Sequence, residues 1–146
     1  MAQKNKIPWL EYTGQDTAEI LACKGTHRID SLLRALEQAI QLRQSRMPDM
    51  VTTPEEHTLL AIMALQREVN NGGYHQFFVN SSRQYALTIV PALDSVGWDT
   101  TAALTQEAID ALGLDPQTLK AIEDSIREPN AERDQALDAF ASPYFK

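Results

Sequence analysis

The sequence contains one cysteine, Cys23, in 146 residues. A lone thiol excludes an intrachain disulfide and suits a reducing compartment, so a cytoplasmic setting is expected. No apolar run can span a bilayer, since the longest, Leu59 to Leu65, is short and interrupted. The basic residues near Met1 are not followed by an apolar segment, because Pro8, Glu11 and Gly14 break it, which argues against a cleaved secretion signal. Histidine is equally sparse. His27, His57 and His75 fall on three separate segments, with no HExxH or Glu-x-x-His spacing. Cys23 and His27 are four apart, but Gly25 lies between them and no second pair exists, so Cys23 reads as a structural thiol and no metal centre is expected. The six glycines form no P-loop or dinucleotide fingerprint, and no cofactor is expected. Ser81 or Ser82 with His75 could be imagined as nucleophile and base, yet neither has the strand-turn context or an oxyanion loop. No catalytic residue is assigned, and the expectation is that the protein is not an enzyme.

Basic residues are also missing where they would matter. Residues 1–84 hold nine acids and nine bases, whereas residues 85–146 hold eleven acids against Lys120, Arg127, Arg133 and Lys146, which accounts for the whole net charge of −7. Such an excess repels nucleic acid and anionic membranes and attracts basic partners.

Hydrophobic residues at 43% and charged residues at 23% make a globular composition, and the length fits one ordinary domain. Residues 1–14 read as an extended arm with Ile7, Trp9 and Leu10 available to tie it down. Asp16 with Glu19 forms a capping-box start for a short helix ending near Gly25. Ile29, Leu32, Leu33, Leu36 and Ile40 recur at helical spacing and predict a helix over about 30–44. Thr53-Pro54-Glu55-Glu56 is a second capping box with proline at the first helical position. It opens a helix that is apolar around much of its circumference and ends at Asn70-Asn71-Gly72-Gly73. A helical turn then gathers Tyr74, Phe77 and Phe78. Ser81 with Gln84 offers a further capping box, for a helix through Val96 that Pro91 should kink or split. Asp99 or Thr100 caps the next helix, which carries Leu104, Ala108, Ala111 and Leu112. Asp115-Pro116 starts another, with Leu114 and Leu119 as a hydrophobic staple and Leu119, Ile122 and Ile126 as its buried stripe. A last helix carries Ala136, Leu137 and Phe140 before Pro143. No stretch alternates with period two, and no repeat or linker divides the chain. The fold class expected is all-α: a compact single-domain bundle of about six to eight helices over residues 15–146.

Glu68-Val69-Asn70-Asn71-Gly72-Gly73-Tyr74-His75-Gln76-Phe77-Phe78-Val79-Asn80-Ser81-Ser82 is the most distinctive segment. One reading makes His75, Gln76 and Asn80 a polar pocket for a ligand. The other makes Tyr74, Phe77 and Phe78 core, with Asn70, Asn71, Asn80 and Ser81 satisfying exposed helix-end groups, and these residue types are what helix ends require. The segment resembles the motif of a bacterial domain family of otherwise unknown function named after a DNA mimic protein. In that motif an acidic residue and Val-Asn-Asn-Gly-Gly are followed by an aromatic, Gln-Phe-Phe and Asn-Ser-Ser. The likeness extends over about residues 54–112. Arg83 departs from it, since the pattern leads to a glycine after the serines. The resemblance implies an all-helical domain, and in the namesake an acidic surface imitates the DNA backbone.

Two functions follow as expectations. In the first, a non-catalytic acidic inhibitor occupies a DNA-binding protein, with Glu107, Asp110, Glu123, Asp124, Glu128, Asp134 and Asp138 standing in for phosphates. Glu107 with Asp110, Asp124 with Glu128, and Asp134 with Asp138 share helix faces at ~4.5–6 Å of rise, against about one charge per ~1.7 Å along duplex DNA. Glu123 and Arg127 form an i, i+4 pair that dilutes the field, as do Lys120 and Arg133. In the second, an immunity or antitoxin protein plugs a cognate toxin with aromatic and acidic contacts, for which Trp9, Trp98, Phe140, Tyr144 and Phe145 are candidate anchors. Either way the partner is a protein, with no direct nucleic acid or membrane binding and homodimerisation left open.

Overall fold

Helices follow one another along the chain because caps and breakers recur at short intervals. The computed structural model describes residues 6–144, residues 141 and 142 by their backbone alone. The elements are α1 (Thr17–Leu21), α2 (Ile29–Arg46), α3 (Pro54–Val79), a 3₁₀ turn (Ser81–Tyr85), α4 (Ile89–Ser95), α5 (Asp99–Asp110), α6 (Leu119–Arg127), α7 (Ala131–Asp138) and α8 (Ala141–Tyr144). Among the described residues there is no strand, only an isolated bridge between Lys24 and His27. The fold is all-α. No helix among the described residues is long and apolar enough to cross a membrane. Contacts divide the chain into two compact units, residues 1–59 and 60–146, with the boundary inside α3.

In the first unit, Leu10, Ile20, Leu32, Ala35 and Ala39 form a small core. The arm is pinned by backbone: Pro8 accepts from the Arg28 N–H at 2.9 Å, and the Leu10 N–H donates to Ser31 Oγ at 3.0 Å. Of the expected apolar trio, Leu10 alone is buried, while Ile7 and Trp9 are exposed. Trp9 instead receives the Arg28 guanidinium 5.3 Å from its ring centroid. Residues 1–5 of the arm lie outside the described residues. Asp16 caps α1 by accepting from the Glu19 N–H. The Thr53 capping box is reciprocal: Thr53 N–H donates to Glu56 Oε1 at 3.0 Å, and Glu56 N–H to Thr53 Oγ1 at 3.2 Å. Two orphan donors of the helix start are satisfied in this way.

The second unit is built around Leu65, Tyr74, Phe77, Phe78, Ile89, Leu93, Ile122 and Leu137, all fully buried. Three starts differ from the sequence expectation. Ser81 caps no helix, because residues 81–85 wind into a 3₁₀ turn and α4 begins only at Ile89, which places Pro91 in its first turn where proline is tolerated. Asp99 lies inside α5 rather than capping it, the cap position being Trp98 without a side-chain bond. The sixth helix starts at Leu119, not at Pro116, because Thr118 supplies the cap by accepting from the Ala121 N–H at 3.1 Å. Leu119 is then 39% exposed and does not join the buried stripe, which reduces to Ile122 and the half-buried Ile126. Ala136 is exposed as well, since Arg133 and Leu137 take the inward face of α7.

Candidate functional site

Glu68, 8% exposed near the end of the apolar stretch of α3, accepts from Asn80 Nδ2 at 2.8 Å and from Ser82 Oγ at 3.3 Å. A buried carboxylate needs such donors, and here they come from beyond the helix break. The break is built from glycine. Gly73 has φ +75° and ψ −167°, a conformation essentially closed to side-chain-bearing residues. Gly72 is extended, but a Cβ there would lie 2.8 Å from Gln76 Oε1 and 3.0 Å from Gln76 Cβ. The turn thereby delivers Tyr74, Phe77 and Phe78 into the core, all at 0% exposure. The Tyr74 hydroxyl meets Thr105 Oγ1 at 2.7 Å, and Thr105 in turn donates to the Thr101 carbonyl at 2.8 Å. Burial pushes the Tyr74 phenol up to about 12, with the Thr105 hydrogen bond working against it and Tyr144 adding to it.

Arg83 explains its own departure from the motif. Its guanidinium donates to the Val79 carbonyl at 3.0 Å, and so satisfies an end of α3 where a glycine turn would otherwise do so. The same group lies 3.5 Å from Glu123. His75 Nε2 lies 3.4 Å from Asp134 Oδ1. Of the three residues considered as a polar pocket, His75 thus faces a carboxylate, Gln76 lies against Gly72, and Asn80 is held by Glu68. Asn70, Asn71 and Ser81 are exposed around this turn.

The seven acids expected to form a partner surface divide into two groups. Glu123 pairs with Arg127 at 2.6 Å as well as with Arg83, Asp124 pairs with Lys120 at 3.3 Å, and Asp134 pairs with Arg133 at 3.0 Å. These three carry local ion pairs, which dilute the phosphate-like row read from the sequence. Arg133, whose side chain is 6% exposed, also donates to the Ser125 carbonyl at 2.6 Å, joining α7 to α6. Glu107, Asp110, Glu128 and Asp138 are exposed and have no cationic partner among the described residues. Asp110 is held by neutral amides, Gln117 Nε2 at 2.8 Å and Gln106 Nε2 at 2.9 Å, and these bonds keep its carboxyl below the usual range.

All the described bases of residues 85–144 are thus engaged in local pairs. Asp94, Asp99, Glu107, Asp110, Asp115, Glu128, Glu132 and Asp138 remain exposed and without a cationic partner among the described residues, and of these Asp94, Asp99, Asp115 and Glu132 are not among the sequence candidates. On α5 the arrangement is one-sided. At about 100° per residue, Asp99, Glu107 and Asp110 fall in a strip about 80° wide, roughly opposite the buried Ala102, Thr105, Ala108 and Ile109. Of the aromatic anchor candidates in this unit, Trp98 is 43% exposed, while Phe140 and Tyr144 stack edge-on against Tyr74. Phe145 lies outside the described residues. Among the described residues no group of three or more His, Cys, Asp or Glu side chains is placed to hold a metal ion.

No match was found among curated proteins or among solved structures. Residues 52–146 match the family described as DMP19-like protein. The match takes in the whole second unit, including the Glu68 node, the glycine break and the uncompensated α5 strip. On that match, extending beyond the 54–112 region of motif likeness to about two thirds of the chain, the protein belongs to the DMP19-like protein family.

Proposed function

We propose that this protein is a non-catalytic, acidic binding protein of the cytoplasm that inhibits a DNA-binding protein by occupying its phosphate-binding surface. The observation carrying this reading is the imbalance on the second unit: eight exposed carboxylates lack a cationic partner among the described residues, while every described base of residues 85–144 is spent within a local pair. A basic surface meeting these groups gains attraction without first breaking an ion pair. Along α5, Glu107 and Asp110 are separated by ~4.5 Å of rise and Asp99 and Asp110 by ~16.5 Å, so the strip offers fixed negative charge over a length comparable to several phosphates. Amide donors from Gln106 and Gln117 hold the Asp110 carboxylate in place, and an anion positioned in advance is the better stand-in for a phosphate. The family membership supports the same reading through the name that it carries. Absence of catalysis is part of the proposal: Glu68, Asn80 and Ser82 are tied to one another across the helix break, and the aromatics Tyr74, Phe77 and Phe78 are closed core.

The test is charge reversal on α5. A Glu107→Lys/Asp110→Lys variant should fold as the wild type and lose binding to a basic DNA-binding partner isolated on the wild-type protein, and duplex DNA should displace the wild type from that partner. A partner that tolerates the reversal, resists DNA competition and holds equally at high salt would instead be bound by shape and apolar contacts, as an immunity protein binds its toxin.

A further inference from the structure

The turn between α4 and α5 carries an open recess of ≈380 Å³ within the second unit, lined by Gln66, Trp98, Asp99, Thr100, Thr101 and Tyr144 among others. Trp98, 43% exposed, lines the recess beside Gly97, next to the exposed carboxylate of Asp99, which has no cationic partner among the described residues. An indole left open at the edge of a recess is the kind of group that interfaces concentrate at their centres. Among the described residues no lysine or arginine lines the recess. The first turn of α5, Asp99 to Thr101, forms one wall, and Asp99 supplies the negative charge there.

We infer that this recess is the seat for one arginine side chain of the partner, its guanidinium stacked on Trp98 and paired with Asp99. The inference rests on the proposed function, which requires a basic partner, and adds where the partner is gripped. The side chain suits the place on three counts. A planar cation stacks on an indole face better than an ammonium does, its fork can reach a carboxylate while stacked, and the hydroxyls of Thr100 and Thr101 and the Gln66 amide offer acceptors for the remaining N–H groups. The recess thereby adds a specific contact, stacking on Trp98, to an otherwise diffuse charge attraction.

The probe is the peptide acetyl-Gly-Arg-Gly-amide, titrated into ¹⁵N-labelled full-length protein, with the citrulline peptide as its neutral isostere. Saturable shifts of the Trp98 indole N–H and of the Gly97, Thr100 and Thr101 amides are expected with arginine, and none that saturate with citrulline. Trp98→Ala should weaken the arginine response about tenfold and Asp99→Asn by several-fold. Equal responses to the two peptides, or shifts spread over all exposed acids without a focus at Trp98, overturn the assignment, and the ligand-side control gives this answer even if a variant folds poorly. Glu107→Lys/Asp110→Lys separates the two claims. If the arginine peptide fails to bind while the double reversal still abolishes partner binding, the recess assignment alone falls. If the peptide binds in the recess while the partner ignores the reversal, the DNA-imitating reading falls.

Discussion

Replacing Glu68 with alanine tests whether the distinctive motif is a structural node. The wild-type carboxylate is nearly buried and accepts from Asn80 Nδ2 and Ser82 Oγ. Ser82, 6% exposed, would keep a buried hydroxyl without a partner, whereas the half-buried Asn80 amide would turn to water. An unsatisfied buried group costs about 1–3 kcal/mol and loss of a hydrogen bond to a charged acceptor about 1.5–3 kcal/mol, so a loss of about 2–4 kcal/mol is expected after partial rehydration. At about 2–4 °C per kcal/mol for a chain of this size, the melting temperature should fall by about 5–15 °C. The assay is urea unfolding followed by the fluorescence of Trp98, which lies in the same unit, in a Trp9→Phe background. Glu68→Gln keeps one acceptor oxygen and should recover roughly half of the loss. A Glu68→Ala variant within about 0.5 kcal/mol of wild type would refute the node. So would one that keeps its stability and loses partner binding, because the motif would then be a ligand site.

Other perturbations read separate parts of the account. Gly73→Ala should cost about 1–3 kcal/mol because of the positive φ, and Gly72→Ala should be eased by Gln76→Ala, which removes most of the crowding side chain; both are measured by denaturant midpoints. Tyr74→Phe should lower stability by about 1 kcal/mol at neutral pH, since Thr105 keeps its bond to Thr101. The same variant should flatten the alkaline limb: the folded phenol holds its proton up to about 12 while an unfolded one releases it near 10, so stability is intact below pH 10 and declines from 10 to 12. Glu56 behaves in the opposite sense. Burial raises its carboxyl, but hydrogen bonds from Thr53 and Arg43 outweigh that and hold it below 4.5, so its contribution is present above that pH and is lost as the pH falls through the lowered value. Glu56→Gln should accordingly reduce the slope of stability against pH on the acid side.

Local signals carried most of the fold. The Thr53 capping box, the spacing of Ile29 to Ile40 and the Gly72-Gly73 break each act through neighbours in sequence, so they could be read before any coordinates. Helix starts failed where two residues competed for one cap: Thr118 prevailed over Asp115, and the 3₁₀ turn took Ser81. Pro91 was legible as a splitting point, and the split places it in a first turn. The candidate surface was less legible because charge pairing is a long-range matter. Arg83 reaches Glu123 across forty residues and His75 meets Asp134 across fifty-nine, and no periodicity announces such encounters. Lys120 with Asp124 and Glu123 with Arg127 were readable as i, i+4 pairs, and weighting them more heavily would have moved the surface toward α5. Asp99 shares the role of cap candidate with Thr100 in the sequence, which hides its carboxylate as a member of the α5 strip. Thr105 gave no signal at all, being a threonine whose importance arises only once Tyr74 is delivered to it.

Affinity measured against salt concentration is the most direct test of the central claim, using the captured partner with wild type and with Glu107→Lys/Asp110→Lys. Wild-type affinity should fall steeply with salt, duplex DNA should displace the wild type, and the double variant should show little residual binding at any salt concentration. Equal affinities for the two proteins and a flat salt dependence would contradict that claim.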